Sequence, residues 1–465
     1  MKKIVTSVCF LILTIGCKTD TSKADQTSKS ESANQLTDGQ LVDLVEKQTF
    51  KYFWEYAEPH SGMARERFFP DGNYPENDAH IVAVGGSGFG IMSIIAAMNQ
   101  GYITKEAGIE RLDKIADFLA TADRFHGAWP HWLHGVTGKV IPFGQKDNGG
   151  DIVETAFLCE GLICVREYFK NGDAAEKSLA QKYDVLWKGV DFNWYTNKEQ
   201  KLYWHWSPNY AWAMNFPLEG YNECLIAYVL ASASPDHGIN SSVYHDCWGR
   251  AGKIVTKNRK FGLPLYLKHN GAEEFGGPLF WTHYSYAGLD PHELSDRYAD
   301  YWKMNTNQVK IDYEYCVKNP KKFKCYGPDY WGLTASYSIN SEGTIGYDSK
   351  KGIGYNAHMP NNDQGVISPT AAISSIVYTP QESIAAMRNF YQNYNEELWG
   401  VAGFYDAHSC TAKASAKQYL AIDQGPMVVM IENYRSGLLW KLFMNAPEVK
   451  QGLLKLGFHS GKYSF

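Results

Sequence analysis

The sequence lacks the basic excess that proteins binding nucleic acids normally carry. Its 465 residues include 45 Lys and Arg against 50 Asp and Glu, which gives a formal net charge of −5 at pH 7. The sequence also has no Walker loop, no G-x-S-x-G nucleophile elbow and no G-x-G-x-x-G motif that follows a strand. We therefore expect no nucleic-acid partner and no nucleotide chemistry.

The chain contains cysteine, but the cysteines show little of the spacing that indicates a disulfide framework or a zinc site. Of the nine Cys residues, Cys9 and Cys17 lie near the N-terminus, which leaves an odd number for a disulfide framework. The sequence contains no C-x-x-C pair, so a structural zinc site of the usual kind is not expected. Cys316 and Cys325 flank a short segment rich in Pro, Lys and Phe, and the sequence leaves open whether they pair.

Long apolar runs are confined to the N-terminus. Residues 5–15 are apolar but too short to span a bilayer, and they follow two lysines, as in a bacterial export signal. The run ends at Cys17 in a sequence that resembles a lipobox. We predict a lipoprotein signal over residues 1–17 with lipidation of Cys17; a plain secretory signal is the alternative. Residues 18–35 are polar and are predicted to form a flexible tether. The chain is thus expected to be exported to the cell envelope and held at a membrane by its lipid alone.

Residues 36–465 show no linker-like break and are predicted to form a single domain, expected to be a monomer. Apolar residues recur at helical spacing, whereas strand patterns are few. About twelve helices with long loops suit an all-α toroid of paired helices, whose loops gather at one end. The predicted helices are Leu41–Trp54, Ile91–Met98, Lys105–Ala122, Asp151–Phe169, Glu219–Ala233, Tyr244–Val255, Leu294–Met304, Val309–Val317, Pro369–Ile376, Pro380–Asn393 and Gln418–Lys441.

Aromatic residues are abundant, since 14 Trp, 31 Tyr and 22 Phe make up 14% of the chain. Part of this set must form the core, but an excess of Tyr and Trp also suits a groove that stacks on sugar rings. Aromatic and Gly-rich stretches lie at 129–143, 203–217 and 275–288. The candidate stacking platforms are Trp129, Trp132, Trp204, Trp206, Tyr210 and Trp281.

The densest group of carboxylates is Asp147, Asp151 and Glu154. Asp151 and Glu154 are three residues apart at a predicted helix start, so they share a face. Carboxylates this close do not ionise independently, and one of them could be held protonated as a general acid. The alternative is a capping box, in which Asp151 caps the helix. Spacing alone favours the cap and leaves catalysis open.

Two further groups of carboxylates lie among aromatic residues. Glu219 and Glu223 precede an apolar run, where they are either site residues or ordinary charges of a first helical turn. Asp406 lies in an aromatic loop, and Asp423 precedes Gly-Pro and could equally belong to a turn or a cap.

The histidines His131, His205, His283 and His408 lack metal-ligand spacing. Hydrogen-bonding roles are therefore favoured over a metal site, and no metal or other cofactor is expected. His131, His283 and Asn215 are the candidates for hydrogen bonds to sugar hydroxyl groups.

A resemblance to a known family runs from about residue 40 to the C-terminus and is carried by six motifs: Val84–Gly90, Gly127–Trp132, Lys146–Asp151, Gly277–Trp281, Trp331–Ser336 and Ala421–Pro426. The chain resembles the "glycoamylase" domain of bacterial proteins and, more closely, glycoside hydrolase family 144, the endo-β-1,2-glucanases. This resemblance implies an (α/α)6 toroid that hydrolyses β-1,2-glucan, typically to sophorose, with inversion at the anomeric carbon and without a metal.

The resemblance also implies which carboxylates are essential. It places them at Asp147, Asp151, Glu154 and Glu223, with a later one at Asp406, for which Asp423 is the rival.

An inverting glycosidase needs one protonated carboxyl group and one carboxylate that activates water, about 6.5–9.5 Å apart. We predict Glu223 as the acid, because the apolar segment after it could raise its pKa. One of Asp147, Asp151 and Glu154 is predicted as the base in preference to Asp406. The other carboxylates would bind sugar hydroxyl groups.

Two rival functions remain open at this stage. A polysaccharide lyase on the same toroid would use Tyr or His as its base and release unsaturated sugars. A glycan-binding surface lipoprotein would present the same aromatic groove without turnover.

Overall fold

The computed structural model describes residues 36–74, 78–340 and 354–465. In these residues, fourteen helices alternate with seventeen strands of two or three residues. The helices are Asp38–Trp54 (α1), Val84–Asn99 (α2), Lys105–Thr121 (α3), Ile152–Phe169 (α4), Ala174–Lys188 (α5), Leu225–Ala233 (α6), Ser241–Val243 (α7), Tyr301–Lys318 (α8), Pro369–Ser374 (α9), Pro380–Asn393 (α10), Asn395–Leu398 (α11), Ala421–Arg435 (α12), Leu438–Asn445 (α13) and Pro447–Leu456 (α14).

The strands are short and pair mostly as two-stranded antiparallel ladders, with one three-stranded sheet of order β2-β3-β4. They are Arg67–Phe68 (β1), Ile81–Ala83 (β2), Trp132–His134 (β3), Val140–Ile141 (β4), Gly150–Asp151 (β5), His205–Trp206 (β6), Arg259–Lys260 (β7), Leu263–Pro264 (β8), Leu294–Ser295 (β9), Ala335–Tyr337 (β10), Tyr355–Ala357 (β11), Trp399–Gly400 (β12), Gly403–Phe404 (β13), Ala407–Ser409 (β14), Ala414–Ala416 (β15), Tyr419–Leu420 (β16) and His459–Ser460 (β17).

An inner ring of helices holds the core. α12 packs on α2, α2 on α4, α4 on α6, and α9 on α12. The 3-10 turn Leu279–Thr282 bridges the remaining gap. Tyr221, before α6, donates a hydrogen bond to Trp281 O, and Tyr378, after α9, donates one to Thr282 O. The structure thus confirms the predicted all-α (α/α)6 toroid.

Inner and outer helices differ in sequence for a physical reason. All nine residues of α6 are buried, as expected for a helix that is apolar on every side. The outer helix α3 instead buries one stripe, at Leu112, Ile115, Ala116 and Leu119. Thr104 caps its N-terminus by accepting a hydrogen bond from the Ala107 N–H. An apolar inner ring therefore lies inside an amphipathic outer ring.

Several predicted helix boundaries are wrong. α2 begins at Val84 rather than Ile91, because the glycines of 85–90 pack inside the helix. The helix predicted over Glu219–Ala233 begins only at Leu225, since Glu219–Glu223 are irregular and Tyr221 forms a β-bridge with His269. Residues 294–300 are a strand and a turn before α8. Residues 244–248 form a π turn, and 250–252 form a 3-10 turn. The longer helices α5 and α14 and the short helices α7 and α11 were not predicted.

The disulfide differs from the pairing considered from the sequence. Cys325 bonds to Cys410, and Cys316 is a free, buried thiol. Residues 1–35, for which a signal, lipidation at Cys17 and a tether are predicted, lie outside the described residues. Among the residues that the structure describes, no helix is both long and apolar enough to cross a membrane.

Candidate active site

A cavity of about 390 Å³ lies where the inner helices begin. Ala83 precedes α2, Glu154 lies in the first turn of α4, Glu223 precedes α6 and Ile422 lies in the first turn of α12; all four line the cavity. Helix N-termini carry partial positive charge, so this end of the ring favours negatively charged groups.

A second depression of about 680 Å³ continues the cavity. His131, Phe143 and Trp204 line both spaces. Asp147 and His205 line only the second. The two spaces together form one groove with an aromatic divide.

Asp151 both caps α4 and binds a histidine. Its Oδ1 accepts hydrogen bonds of 3.0 Å from the backbone N–H groups of Val153 and Glu154. Its Oδ2 lies 3.0 Å from His131 Nδ1. Burial opposes ionisation, but the His131 hydrogen bond and the His205 charge outweigh it and lower the pKa of Asp151. Asp151 is therefore an anion that orients His131 rather than a group that faces substrate.

Glu154 faces the cavity and is fixed by a glycine. Its Oε2 accepts a 2.9 Å hydrogen bond from the Gly85 N–H, and a Cβ on Gly85 would lie 2.4 Å from that oxygen. Burial raises the pKa of Glu154 to about 7, and the negative charge of Asp151 adds to this while His131 opposes it. Glu154 therefore changes its charge near neutral pH.

His131 lies between the acidic groups. Its Nε2 lies 4.0 Å from Glu154 Oε1, and its Nδ1 holds Asp151. Burial disfavours its charge, but the charges of Glu154, Asp151 and Asp147 raise the pKa of His131 to about 9. His131 is thus a cation that compensates the cluster.

Asp147 completes this cluster from the neighbouring loop. Its Oδ1 lies 3.3 Å from His205 Nδ1. Asp147, His131 and Asp151 each place one ligand atom within 4.8 Å of the others, so these three residues could hold a metal ion. The sequence spacing did not indicate such a cluster, because His131 lies 16 residues before Asp147.

Glu223 lies on the cavity wall two residues before α6. Burial raises the pKa of Glu223 to about 7, and the charges of Glu154 and Asp151 raise it further against an opposing backbone hydrogen bond. Its carbonyl oxygen accepts a hydrogen bond from the Ser285 hydroxyl, which fixes the backbone at this point. A carboxyl group in this position can deliver a proton at neutral pH.

Asp406 and Asp423 form a single buried pair. The sequence analysis gave them as alternatives for one essential carboxylate, but their side chains hydrogen-bond to each other. The Tyr337 N–H donates to Asp406 Oδ2 at 2.8 Å, and the Tyr355 hydroxyl donates to Asp423 Oδ2 at 3.3 Å. Burial raises the pKa of both groups, and that of Asp406 reaches about 7. A hydrogen bond between two carboxyl groups requires a proton, so the pair shares one.

The six predicted stacking residues divide into two that line the cavity, two that lie in the core and two that lie elsewhere. Trp132 and Trp204 line the cavity. Trp129 is 0% exposed, its indole N–H donates to Leu119 O, and the Arg124 guanidinium lies 3.9 Å from its ring centroid, so its predicted groove role is wrong. Trp281 packs in the core beside Tyr221, and its predicted role is wrong for the same reason.

His283 is also a core residue rather than a sugar ligand. Its Nε2 lies 3.0 Å from Ser375 Oγ, and burial lowers the pKa of His283 to about 3. Trp206 packs against His126 and Trp194 instead of the cavity. Tyr210 and Asn215 are exposed in the 207–216 loop, and their roles remain predictions.

Sequence reasoning missed several cavity residues. Most of the missed residues are aromatic, and they come from elements that lie far apart in the sequence. Phe280 lies inside the Gly277–Trp281 motif, but its spacing in the sequence does not indicate that it lines a cavity. The residues missed are Glu66, Arg67, Phe143, Phe280, Tyr284, Tyr337 and Tyr355.

The chain matches known proteins along most of its length. A family model described as "Putative glucoamylase" (Glycoamylase) matches residues 215–447. An endo-β-1,2-glucanase from Chitinophaga pinensis, solved with sophorotriose and glucose, is 59% identical, with a TM-score of 0.88 over 92% of this chain and 100% of that chain. A putative glucoamylase from Bacteroides caccae is 54% identical, with a TM-score of 0.87 over 91% of this chain and 100% of that chain.

A curated relative has a related name. The exo β-1,2-glucooligosaccharide sophorohydrolase (non-reducing end) of Parabacteroides distasonis is 42% identical over 454 residues, or 93% of this chain. This chain spans 60% of that relative's own length.

Proposed function

Because the chain belongs to the glycoamylase-domain family of these β-1,2-glucanases, as its resemblance to glycoside hydrolase family 144 predicts, we propose that it hydrolyses β-1,2-glucan. The observation that carries this proposal is the pair of carboxyl groups, Glu154 and Glu223, both of which line the cavity. The pKa of each is raised to about 7. A glycosidase needs one protonated and one ionised carboxyl group at the same pH.

We assign the acid role to Glu223 and the base role to Glu154, in an inverting reaction. The negative charge of an ionised Glu154 raises the pKa of Glu223, which favours a protonated acid beside a charged base. Glu223 protonates the departing glycosidic oxygen, directly or through a sugar hydroxyl. Glu154 removes a proton from the attacking water, while His131 and Asp151 hold its surroundings fixed. Asp147 binds hydroxyl groups in the second part of the groove.

An endo mode of action fits the groove. The C. pinensis relative, which this chain covers completely, is named an endo-acting enzyme, whereas the P. distasonis relative is named an exo-acting one. The two adjoining spaces of about 390 and 680 Å³ provide room for sugar units on both sides of the aromatic divide. We therefore propose internal cleavage to sophorose and short oligosaccharides.

The products of the purified full chain on linear β-1,2-glucan test the reaction class. Chromatography should show short oligosaccharides, and proton NMR in the first minutes should show the α-anomer at the new reducing end. The β-anomer would overturn inversion. Products absorbing in the ultraviolet would indicate a lyase, and binding without products would indicate a glycan-binding protein.

The variant Glu223→Gln tests the acid role. The amide cannot donate the catalytic proton, so kcat should fall by about 10²–10⁴-fold while the circular dichroism spectrum stays unchanged. Glu219→Gln is the matched control, because Glu219 is four residues earlier and forms an exposed ion pair with Arg250. Near-full activity of a folded Glu223→Gln protein would overturn the assignment.

We also propose that the chain is exported and anchored through Cys17. The Cys325–Cys410 disulfide supports an oxidising compartment outside the cytoplasm. Labelling with a radioactive fatty acid should mark the wild type and not Cys17→Ser. Label retained in Cys17→Ser would contradict lipidation at this residue.

A further inference from the structure

Three metal-ligand side chains meet where the chain passes from α1 towards β2. Glu58 and His60 follow α1, and His80 immediately precedes β2. Glu58 Oε1 lies 2.9 Å from His60 Nδ1 and 3.0 Å from His80 Nδ1. All three donor atoms lie within 4.8 Å of one another, and none of these residues lines the cavity.

The carboxylate at the centre of this cluster is held rigidly. The Glu58 side chain is 0% exposed. Its Oε2 accepts hydrogen bonds from the Ser61 N–H at 2.7 Å, the Ser61 hydroxyl at 2.8 Å and the His60 N–H at 3.0 Å. These bonds fix one oxygen and direct the other, Oε1, at the two imidazole rings.

The charge of this carboxylate lacks a permanent partner. In the described parts of the chain, the ion pairs of Glu58 are formed with His60 and His80 alone. A buried carboxylate requires hydrogen bonds or positive charge to compensate for its lost hydration. A divalent cation bound by the three donor atoms would supply positive charge next to the Glu58 carboxylate.

We propose that Glu58 Oε1, His60 Nδ1 and His80 Nδ1 bind a divalent transition-metal ion of the zinc class, with water completing its coordination. Zinc accepts imidazole nitrogen and carboxylate oxygen at about 2.0–2.2 Å, which places neighbouring donors about 3–3.5 Å apart. The observed separations of 2.9 and 3.0 Å need only a few tenths of an ångström of adjustment. The side chains of His60 and His80 are 58% and 37% exposed, so the ion enters from solvent.

The metal has a structural role in this proposal. It joins the loop after α1 to β2, which pairs with β3 through Ala83 and Trp132. Trp132 lines the cavity, so the ion fastens the outer support of one cavity wall. The site takes no part in the chemistry at Glu154 and Glu223.

Calorimetric titration of the chelator-treated full chain with ZnCl₂ tests the site. The wild type should bind one equivalent with a rise in melting temperature. His60→Ala should weaken that binding at least tenfold; since His60 is largely exposed, this variant should fold normally. His80→Ala should do the same. His134→Ala is the matched control, because this ring stacks on His80 at 5.8 Å between centroids but is not a ligand.

A second control separates this site from the cluster in the groove. Asp147→Asn removes a donor of the other possible metal group, and zinc binding should be unchanged. Absence of zinc binding by the wild type would overturn the proposal. So would full binding by His60→Ala and His80→Ala, or loss of binding in Asp147→Asn. None of these results depends on glucan hydrolysis.

Discussion

Two groups of buried carboxylates lie at the starts of inner helices, and one aspartate in each has a pKa that is shifted in the opposite direction to the other's. Asp151 and Asp423 are 0% and 2% exposed. Asp151 caps α4 and binds His131, and its pKa is lowered. Asp423 lies inside the first turn of α12 without capping it and meets Asp406, and its pKa is raised. Donors and nearby charge, rather than depth of burial, decide which carboxylate is ionised.

The largest expected effect comes from breaking the His131 group. Asp151→Ala removes the helix cap and leaves the His131 cation without its nearest anion. We expect the free energy of unfolding at pH 7 to fall by about 3–5 kcal/mol, the range for breaking a buried ion pair. Urea denaturation measures this loss. Asp151→Asn, which keeps a capping oxygen, should lose less. A loss below about 1 kcal/mol in Asp151→Ala would show that the residue is no more than a cap.

The contribution of the Asp406–Asp423 pair to the stability of the fold should decrease as the pH rises. Because its pKa values are raised on folding, its stabilising contribution is complete below the ordinary Asp pKa of about 4. That contribution is lost as the pH rises through about 7, the pKa of Asp406.

Asp423→Asn provides an N–H donor to Asp406 and removes the need for the shared proton. We expect the variant to be more stable than the wild type at pH 8, by about 1 kcal/mol, and to lose this advantage at pH 5. Denaturation at the two pH values measures the difference. An equal difference at both would show that the pair does not share a proton.

The smallest expected effect is the change in the pKa values of Glu154 and Glu223 when the Asp151 charge is removed. The Asp151 charge contributes to the raised pKa of Glu154 and of Glu223. Asp151→Asn should therefore lower the pKa of both, as measured by carbon-13 NMR of labelled Glu side chains. Asp423→Asn is the matched control and should leave Glu154 unchanged. Equal shifts in the two variants would contradict the separation of the groups.

The sequence predicted one of these groups much better than the other. Asp147, Asp151 and Glu154 are close along the chain, so helical spacing alone brings Asp151 and Glu154 to one end of α4. Asp151 caps α4, as one of its two interpretations predicted, and its other oxygen binds His131. Asp406 and Asp423 were considered alternatives, because nothing local shows that the β14–β15 hairpin turns the chain back between them.

The aromatic residues show the same limit. Trp129 and Trp132 are three residues apart, yet one is a core residue and the other lines the cavity. The difference arises because β3 begins at Trp132 and pairs with β2. Trp132 pairs with Ala83, which lies 49 positions earlier in the chain, and composition does not reveal such pairing. The overall toroid was easier to predict, since repeated helical spacing is a local property.

The crossing of α2 and α4 also limits which substitutions the ring accepts. A Cβ on Gly88 would lie 2.2 Å from Phe157 O, and one on Gly161 would lie 2.5 Å from Gly88 O. α2 carries the Gly85 N–H and α4 carries the Glu154 carboxylate, so an added methyl group that separates the helices also separates this hydrogen-bonded pair. An alanine at either position is therefore equivalent to an active-site mutation, although neither glycine lines the cavity.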